Sequence, residues 1–304
     1  MKKSLSLKLI VFSLLLVTAN ITYSEDPEFK KGTGGSSTVA GVASDASGSE
    51  SSAFGYNSLA TGRESLAAGY KNTANGKSSS SVGWQNSADG DYASSFGHKN
   101  KASRLGSSAF GFINTASGLE SSAFGFKNTA SGSESSAFGH RNTASGKYSS
   151  AFGNKYKVTG EASGAFGVGA TYWNDTTKEY DYSYINEGNE SYMIGNFNKI
   201  ASGSNDNFIL GNNVSIGAGI TNSVVLGADS SSGGSNTVSV GSSSNKRKIV
   251  NVADGTADTD AATLGQVKNL IASGGGPDLT TDVNNLKNDM NNVKNDVSDL
   301  KTDM

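Results

Sequence analysis

With no cysteine in its 304 residues, this chain takes nothing from disulfides and must draw its stability from packing and association. Apolar residues are scarce too: only 35% of the sequence is hydrophobic, too little for an ordinary globular core of this size. Two classes survive that shortage, a disordered chain and a repeat protein whose units bury their few apolar residues against each other. An excess of basic charge is also missing. The formal net charge is -2 and no basic run exceeds Lys246, Arg247 and Lys248, which leaves a nucleic acid little to hold. The two histidines, His98 and His140, lack the partners of a catalytic triad or a zinc site, so no metal and no cofactor is expected. Glu50, Glu64, Glu120 and Glu134 recur at one repeat phase, which describes a solvated edge and not a catalytic carboxylate pair. The chain therefore reads as no enzyme, with a β-solenoid lyase as the enzymatic alternative.

What is abundant is glycine, and it is periodic. Glycines stand at 41, 55, 69, 83, 97, 111, 125, 139, 153 and 167, always 14 residues apart. Phe precedes most of them (Phe54, Phe96, Phe110, Phe124, Phe138, Phe152, Phe166), and Ala follows five positions later, as at Ala60 and Ala116. Two positions further on a second glycine usually appears, such as Gly62 or Gly118, although Arg104 interrupts that row and suggests a frayed ladder. Fourteen residues are too few for a helical hairpin, and each glycine would cost a helix about 1 kcal/mol. The repeat thus predicts coils of two short strands, stacked about 4.8 Å apart, with Phe and Ala ladders in a thin core.

The register breaks after Gly169. Tyr172, Trp173, Tyr180, Tyr182 and Tyr184 surround an Asn174-Asp175 turn and predict a protruding hairpin. Looser coils are expected beyond it, at Ile194-Gly195, Leu210-Gly211, Ile216-Gly217, Leu226-Gly227 and Val240-Gly241. Near the end, Val283, Met290, Val297 and Met304 fill one heptad position, and Leu279, Leu286, Val293 and Leu300 fill the other. Lys and Asp flank this seam, the pattern of a parallel coiled coil, and Val with Leu favours a dimer by zipper rules. At the other terminus, Lys2, Lys3 and Lys8 lead into the apolar run 9–19, which reads as a secretory signal cut after Ser24 or, alternatively, as an uncleaved anchor.

The run Arg247-Lys248-Ile249-Val250-Asn251-Val252-Ala253-Asp254-Gly255, with Asp260, Gln266 and Val267 beyond it, resembles the neck motif of trimeric autotransporter adhesins. Together with the 14-residue repeats, residues 39–304 resemble a YadA-like head, neck and stalk. The resemblance implies a mainly β fold: a left-handed parallel β-roll, three rolls side by side as a homotrimer, and a neck leading to a helical parallel coiled coil. It assigns Arg247, Ile249, Asn251, Val252, Gly255, Asp260 and Gln266 to the neck, and Val283, Leu286, Met290, Val293, Val297 and Leu300 to trimerisation. It also implies export to the bacterial surface, an outer-membrane anchor beyond residue 304, and binding to host receptors of the CEACAM type or to matrix proteins such as collagen. The expected order is a signal peptide (1–24), a linker (25–38), repeat coils (39–169), the aromatic hairpin (170–190), further coils (191–245), the neck (246–271), and a second linker with the stalk (272–304).

Partner-binding residues are sought where the repeat breaks its own polar rule. Two positions after the glycine come Asn57, Lys71, Gln85, Lys99, Lys127, Arg141 and Lys155, but also Ile113. At neighbouring phases Leu105 and Leu119 replace polar residues, and Phe112 and Phe126 replace rings with polar handles. These five form either a receptor-docking patch or part of an inter-chain interface. The hairpin aromatics are the second candidate. Host attachment is the leading function, and self-association of the bacterium's own copies is the alternative.

Overall fold

A computed structural model describes residues 29–273 and 280–302. The expected signal peptide, Leu279 and Met304 lie outside them. Contacts divide the chain into two units, ending at Lys246 and beginning at Arg247.

The first unit is a parallel β-roll. Each coil contributes a five-residue strand, such as Ser108–Phe112, and a two-residue strand, such as Thr115–Ala116. Stacking produces a 15-stranded sheet and a 12-stranded sheet on the two sides of the roll. Register follows the 14-residue period: Phe110 pairs with Phe124, Gly111 with Gly125, and Ala116 with Ala130. Arg104 does not fray it, since all five residues of Ser94–His98 pair with Ser108–Phe112. In that coil Gly106 takes the left-handed backbone that Glu64 or Glu120 supplies elsewhere.

Inside the roll the filling differs from the expected one. Four positions per coil point inward, for example Ser107, Ala109, Asn114 and Ala116, all buried. Phe110 follows Ala109 directly and therefore takes the opposite face of the strand, because successive strand residues alternate. The Phe row is thus an outer ladder. Its rings from Phe96 through Phe110, Phe124, Phe138 and Phe152 to Phe166 stack at 4.8–5.1 Å. In the regular coils before Tyr156 the space between the sheets is filled by Ala, Ser and Asn.

Asn72, Asn86, Asn100, Asn114, Asn128 and Asn142 form a buried hydrogen-bonded column. The Asn114 Nδ2 donates to Phe110 O (2.8 Å) and Gly125 O (2.6 Å), while its Oδ1 accepts from the Asn128 backbone N–H (2.9 Å). Each amide thus closes its own turn and that of the next coil. Ser58 holds the same phase lower down, its hydroxyl donating to Gly69 O (3.2 Å).

Tyr156 takes the Asn phase in the last regular coil, is fully buried, and explains how the roll survives its interruption. Its hydroxyl donates to Gly195 O (2.8 Å) and accepts from the Asn198 backbone N–H (3.1 Å). One phenol therefore bridges the column across the excursion 169–185. Burial raises its pKa, which keeps it protonated as a donor. Beyond the excursion the coils lengthen. The strands Tyr192–Ile194, Phe208–Leu210 and Val224–Leu226 pair in register 16 residues apart, and Met193, Ile209 and Val225 replace the interior Ala. Ile216, expected to precede a turn glycine like Ile194, is instead an interior residue of the short sheet.

Residues 29–38, expected as linker, are already part of the roll. Lys30–Lys31 pairs antiparallel with Thr38–Val42, and Phe29 packs edge-on against Phe54 at 6.0 Å. That covers an edge which would otherwise offer unpaired backbone groups.

In the second unit the predicted neck residues Gly255, Asp260 and Gln266 meet. Gly255 N–H donates to Gln266 Oε1 (2.9 Å), and Gln266 Nε2 donates back to Gly255 O (2.7 Å). The Asp260 carboxylate accepts from the backbone of Ala257 and Thr256, both at 2.9 Å, and these bonds lower its pKa. Thr263 caps the helix Leu264–Ala272 with a capping box to Gln266. Asn251 takes a left-handed φ, and Ile249 and Val252 are exposed. A second helix spans Thr280–Thr302, along which Val283, Leu286, Met290, Val293, Val297 and Leu300 are all exposed.

Candidate binding face of the roll

The outer face of the long sheet carries a second aromatic ladder, one residue beyond each turn glycine. Tyr56, Tyr70, Trp84, His98, Phe112, Phe126 and His140 stack without interruption, with centroids 4.2–5.7 Å apart. Parallel pairing at one register forces like phases above one another, so each ring from Tyr56 to Phe126 meets a ring in the next coil, and His140 meets Asn154. Ring faces are therefore occupied by neighbouring rings, and ring edges face outward.

The structure splits the five repeat exceptions between two edges of this face. Leu105 and Leu119, 43% and 42% exposed, sit at the turn that precedes the long strand. Phe112, 38% exposed, lies with Phe126 and Ile113 at the other end of that strand. About 16 Å of strand separates the two groups, and the Phe110 and Phe124 rings occupy the ground between them. The exceptions are thus two margins of one apolar band and not a single cluster.

Ile113 is the unusual member. Its φ is +57°, in the left-handed region, at a phase filled elsewhere by Ala43, Asn57, Lys71, Gln85, Lys99, Lys127, Arg141 and Lys155. A β-branched side chain is the poorest of these choices there, and the left-handed conformation costs about 1–2 kcal/mol. This coil therefore keeps an apolar residue at a backbone position that disfavours it.

The hairpin forms as expected. Thr171–Asn174 pairs antiparallel with Glu179–Tyr182, placing Trp173 opposite Tyr180. Its aromatics have separate duties. Tyr172 and Trp173 are exposed, with Trp173 Nε1 donating to Asp175 Oδ1 (2.9 Å). Tyr182 is an anchor, its hydroxyl donating to Arg141 O (2.8 Å) and lying 2.9 Å from Thr143 Oγ1. Tyr184 packs against the core and against Phe197 at 5.4 Å. Two of the five expected contact aromatics are thus turned to holding the excursion on the roll. The side chain of Tyr180 lies outside the described set.

Burial raises the Tyr182 pKa above the usual tyrosine range, and the bond to Thr143 opposes this. The neutral phenol is therefore the docked form. Anchoring is complete below the unfolded pKa and is lost only as pH rises through the raised value. Tyr182→Phe is expected to leave the melting of the roll unchanged and to accelerate limited proteolysis within 175–178. Unchanged cleavage would show that the hydroxyl does not hold the hairpin.

Sequence reasoning missed the Asn column, because a polar residue at a fixed phase reads as surface. It also missed what the lysine phase becomes once coils stack.

Comparison with known proteins bears on the repeats directly. Residues 60–86, 88–112, 116–142 and 130–155 match the model of the YadA head domain repeat. Among solved structures, the collagen-binding domain of the Yersinia adhesin YadA is similar at 24% identity, covering 57% of this chain and 85% of that chain with a TM-score of 0.34. Curated proteins include no match. Within residues 60–155 the chain therefore carries repeats similar to those of the YadA head domain.

Proposed function

We propose that this chain attaches a bacterium to a host surface by docking a host receptor or matrix protein on the long-sheet face between Leu105 and Phe126, as a homotrimer displayed at the cell surface. The single observation that carries the reading is Ile113. A strained apolar residue beside the exposed ring of Phe112 is explained by a partner that uses it, since strain persists at functional sites. The exposed stripe Val283–Leu300 supports association of copies, because an unpartnered helix with a heptad apolar face is completed by other helices. The neck-like motif at 247–255 and the expected signal sequence of residues 1–24 support this reading of display at the surface.

The test separates docking from assembly. Ile113→Asn places a residue tolerant of the left-handed backbone at this position and is expected to stabilise the roll by about 1 kcal/mol. Adhesion to host cells, and to a panel of collagen, other matrix proteins and CEACAM-type receptors, is expected to fall at least tenfold with Ile113→Asn combined with Phe112→Ser, an estimate of about 1.5–3 kcal/mol for one large apolar contact. Unchanged adhesion would overturn the docking site. A loss of trimer mass would instead assign these residues to the interface between copies. Beads coated with the protein that clump equally with and without host protein would favour self-association.

A further inference from the structure

The net charge of -2 conceals a segregation of the carboxylates, which one turn of the regular coils lacks. The four phases that follow each turn glycine hold no carboxylate in any regular coil from Tyr56 to Lys157. They hold Lys71, Lys99, Lys101, Lys127, Arg141, Lys155 and Lys157. The carboxylates of these coils, Glu64, Asp89, Asp91, Glu120, Glu134 and Glu161, fall at the other turn. Stacking converts residues 28 positions apart, Lys71, Lys99 and Lys127, into a line of ammonium groups on every second coil, about 9.6 Å apart. Their Nζ atoms lie along the aromatic ladder, 5.2 Å from the Tyr70 ring, 5.1 Å from Trp84 and 5.5 Å from Phe126. Lys71, Lys99, Lys101 and Lys127 are exposed, and among the described residues none has a carboxylate within ion-pair distance. The hairpin reaches the roll through Tyr182 at Arg141 and Thr143, so the open part of the line lies below that coil.

We infer that this basic edge, from Lys71 to Lys127, is a binding strip for a linear sulfated polysaccharide lying along the roll axis. The inference goes beyond the protein-docking reading and does not depend on Ile113 contacting anything. A periodic line of cations one residue wide complements a polymer that carries anions at intervals along one axis, and sulfates remain charged at any physiological pH. Duplex DNA would need a broader positive surface, and here the opposite turn mixes its carboxylates with Arg63, Lys77, Arg104 and Lys147. Single-stranded nucleic acid binds through bases stacked on ring faces, but these faces are already covered by neighbouring rings.

The experiment uses the full chain and immobilised heparin as the probe. Wild-type protein is expected to bind heparin at low salt and to weaken as NaCl rises from roughly 0.05 to 0.5 M. The triple variant Lys71→Gln, Lys99→Gln and Lys127→Gln is expected to bind at least about tenfold more weakly, from three lost exposed charge contacts. A matched variant at the other turn, Arg63→Gln, Lys77→Gln and Lys147→Gln, is expected to change binding less than about twofold. All are outward polar changes, and circular dichroism verifies the fold. Equal losses in both variants, no binding by the wild type, equal binding to desulfated heparin, or tighter binding to duplex DNA would each overturn the inference. Because the triple variant leaves Phe112 and Ile113 intact, it tests the strip apart from the protein-docking face.

Discussion

Gly125→Ala is expected to break the roll in its middle, lowering stability by at least about 4 kcal/mol and the melting temperature by about 10 °C. Gly125 has φ +114°, a conformation that L side chains rarely adopt, and a Cβ there would lie 2.2 Å from the carbonyl oxygen of Gly139 in the next coil. That oxygen belongs to the backbone ladder, so it cannot swing aside as a side chain would. Relief requires separation of the coils, which sacrifices parallel hydrogen bonds on both sides of the site. Thermal melting by far-UV circular dichroism measures the loss, with the outward substitution Ser122→Ala as control. A shift as small as that of the control would mean that the backbone adjusts without separating, contrary to the tight ladder described.

Asn114→Leu should be nearly as damaging, despite adding apolar volume to an interior short of it. It strands the Phe110 and Gly125 carbonyl oxygens and the Asn128 N–H, all paired by one amide. Each buried unsatisfied group costs about 1–3 kcal/mol, so a loss of about 3–5 kcal/mol is expected. Asn114→Ser should cost only about 1–2 kcal/mol, because Ser58 already serves this phase and donates to the Gly69 carbonyl. Chemical denaturation of the two variants checks the ranking. If leucine proved the milder change, interior volume and not hydrogen bonding would govern this column.

The sequence made the coil legible because spacing alone carries it: Gly41 through Gly167 recur at a fixed interval, and two short strands are what fits between glycines. The hairpin was legible from its Asn-Asp turn. The interior was misjudged for a specific reason. Phe is large and apolar and was assigned inward beside Ala, yet adjacent strand residues face opposite ways, so Ala109 and Phe110 cannot both be inside. Burial of Ala was the better choice, because Ala, Ser and Asn fill the space between the sheets in the coils before Tyr156. The Asn column was hidden by its polarity, and the binding strip by the distance along the chain between Lys71, Lys99 and Lys127. For the site, the exceptions Leu105, Phe112, Ile113, Leu119 and Phe126 were visible as breaks in a pattern. Their division between two margins was not, since phase in a repeat does not reveal distance across a strand. Tyr182 and Tyr184 show the same limit, because an aromatic that anchors and an aromatic that docks look alike until their hydroxyls find partners.

The way Tyr156 carries the Asn column past the excursion has an evolutionary reading. A roll whose coils recognise only their immediate neighbours can gain or lose a whole 14-residue unit by recombination within its gene, each event altering the reach of the head by about 4.8 Å. One suitably placed phenol lets the same roll accept a foreign segment without disturbing what lies on either side. Height can therefore drift in even steps while new surface is added at a seam, and two properties under different selection, how far the head projects and what it displays, are free to change independently.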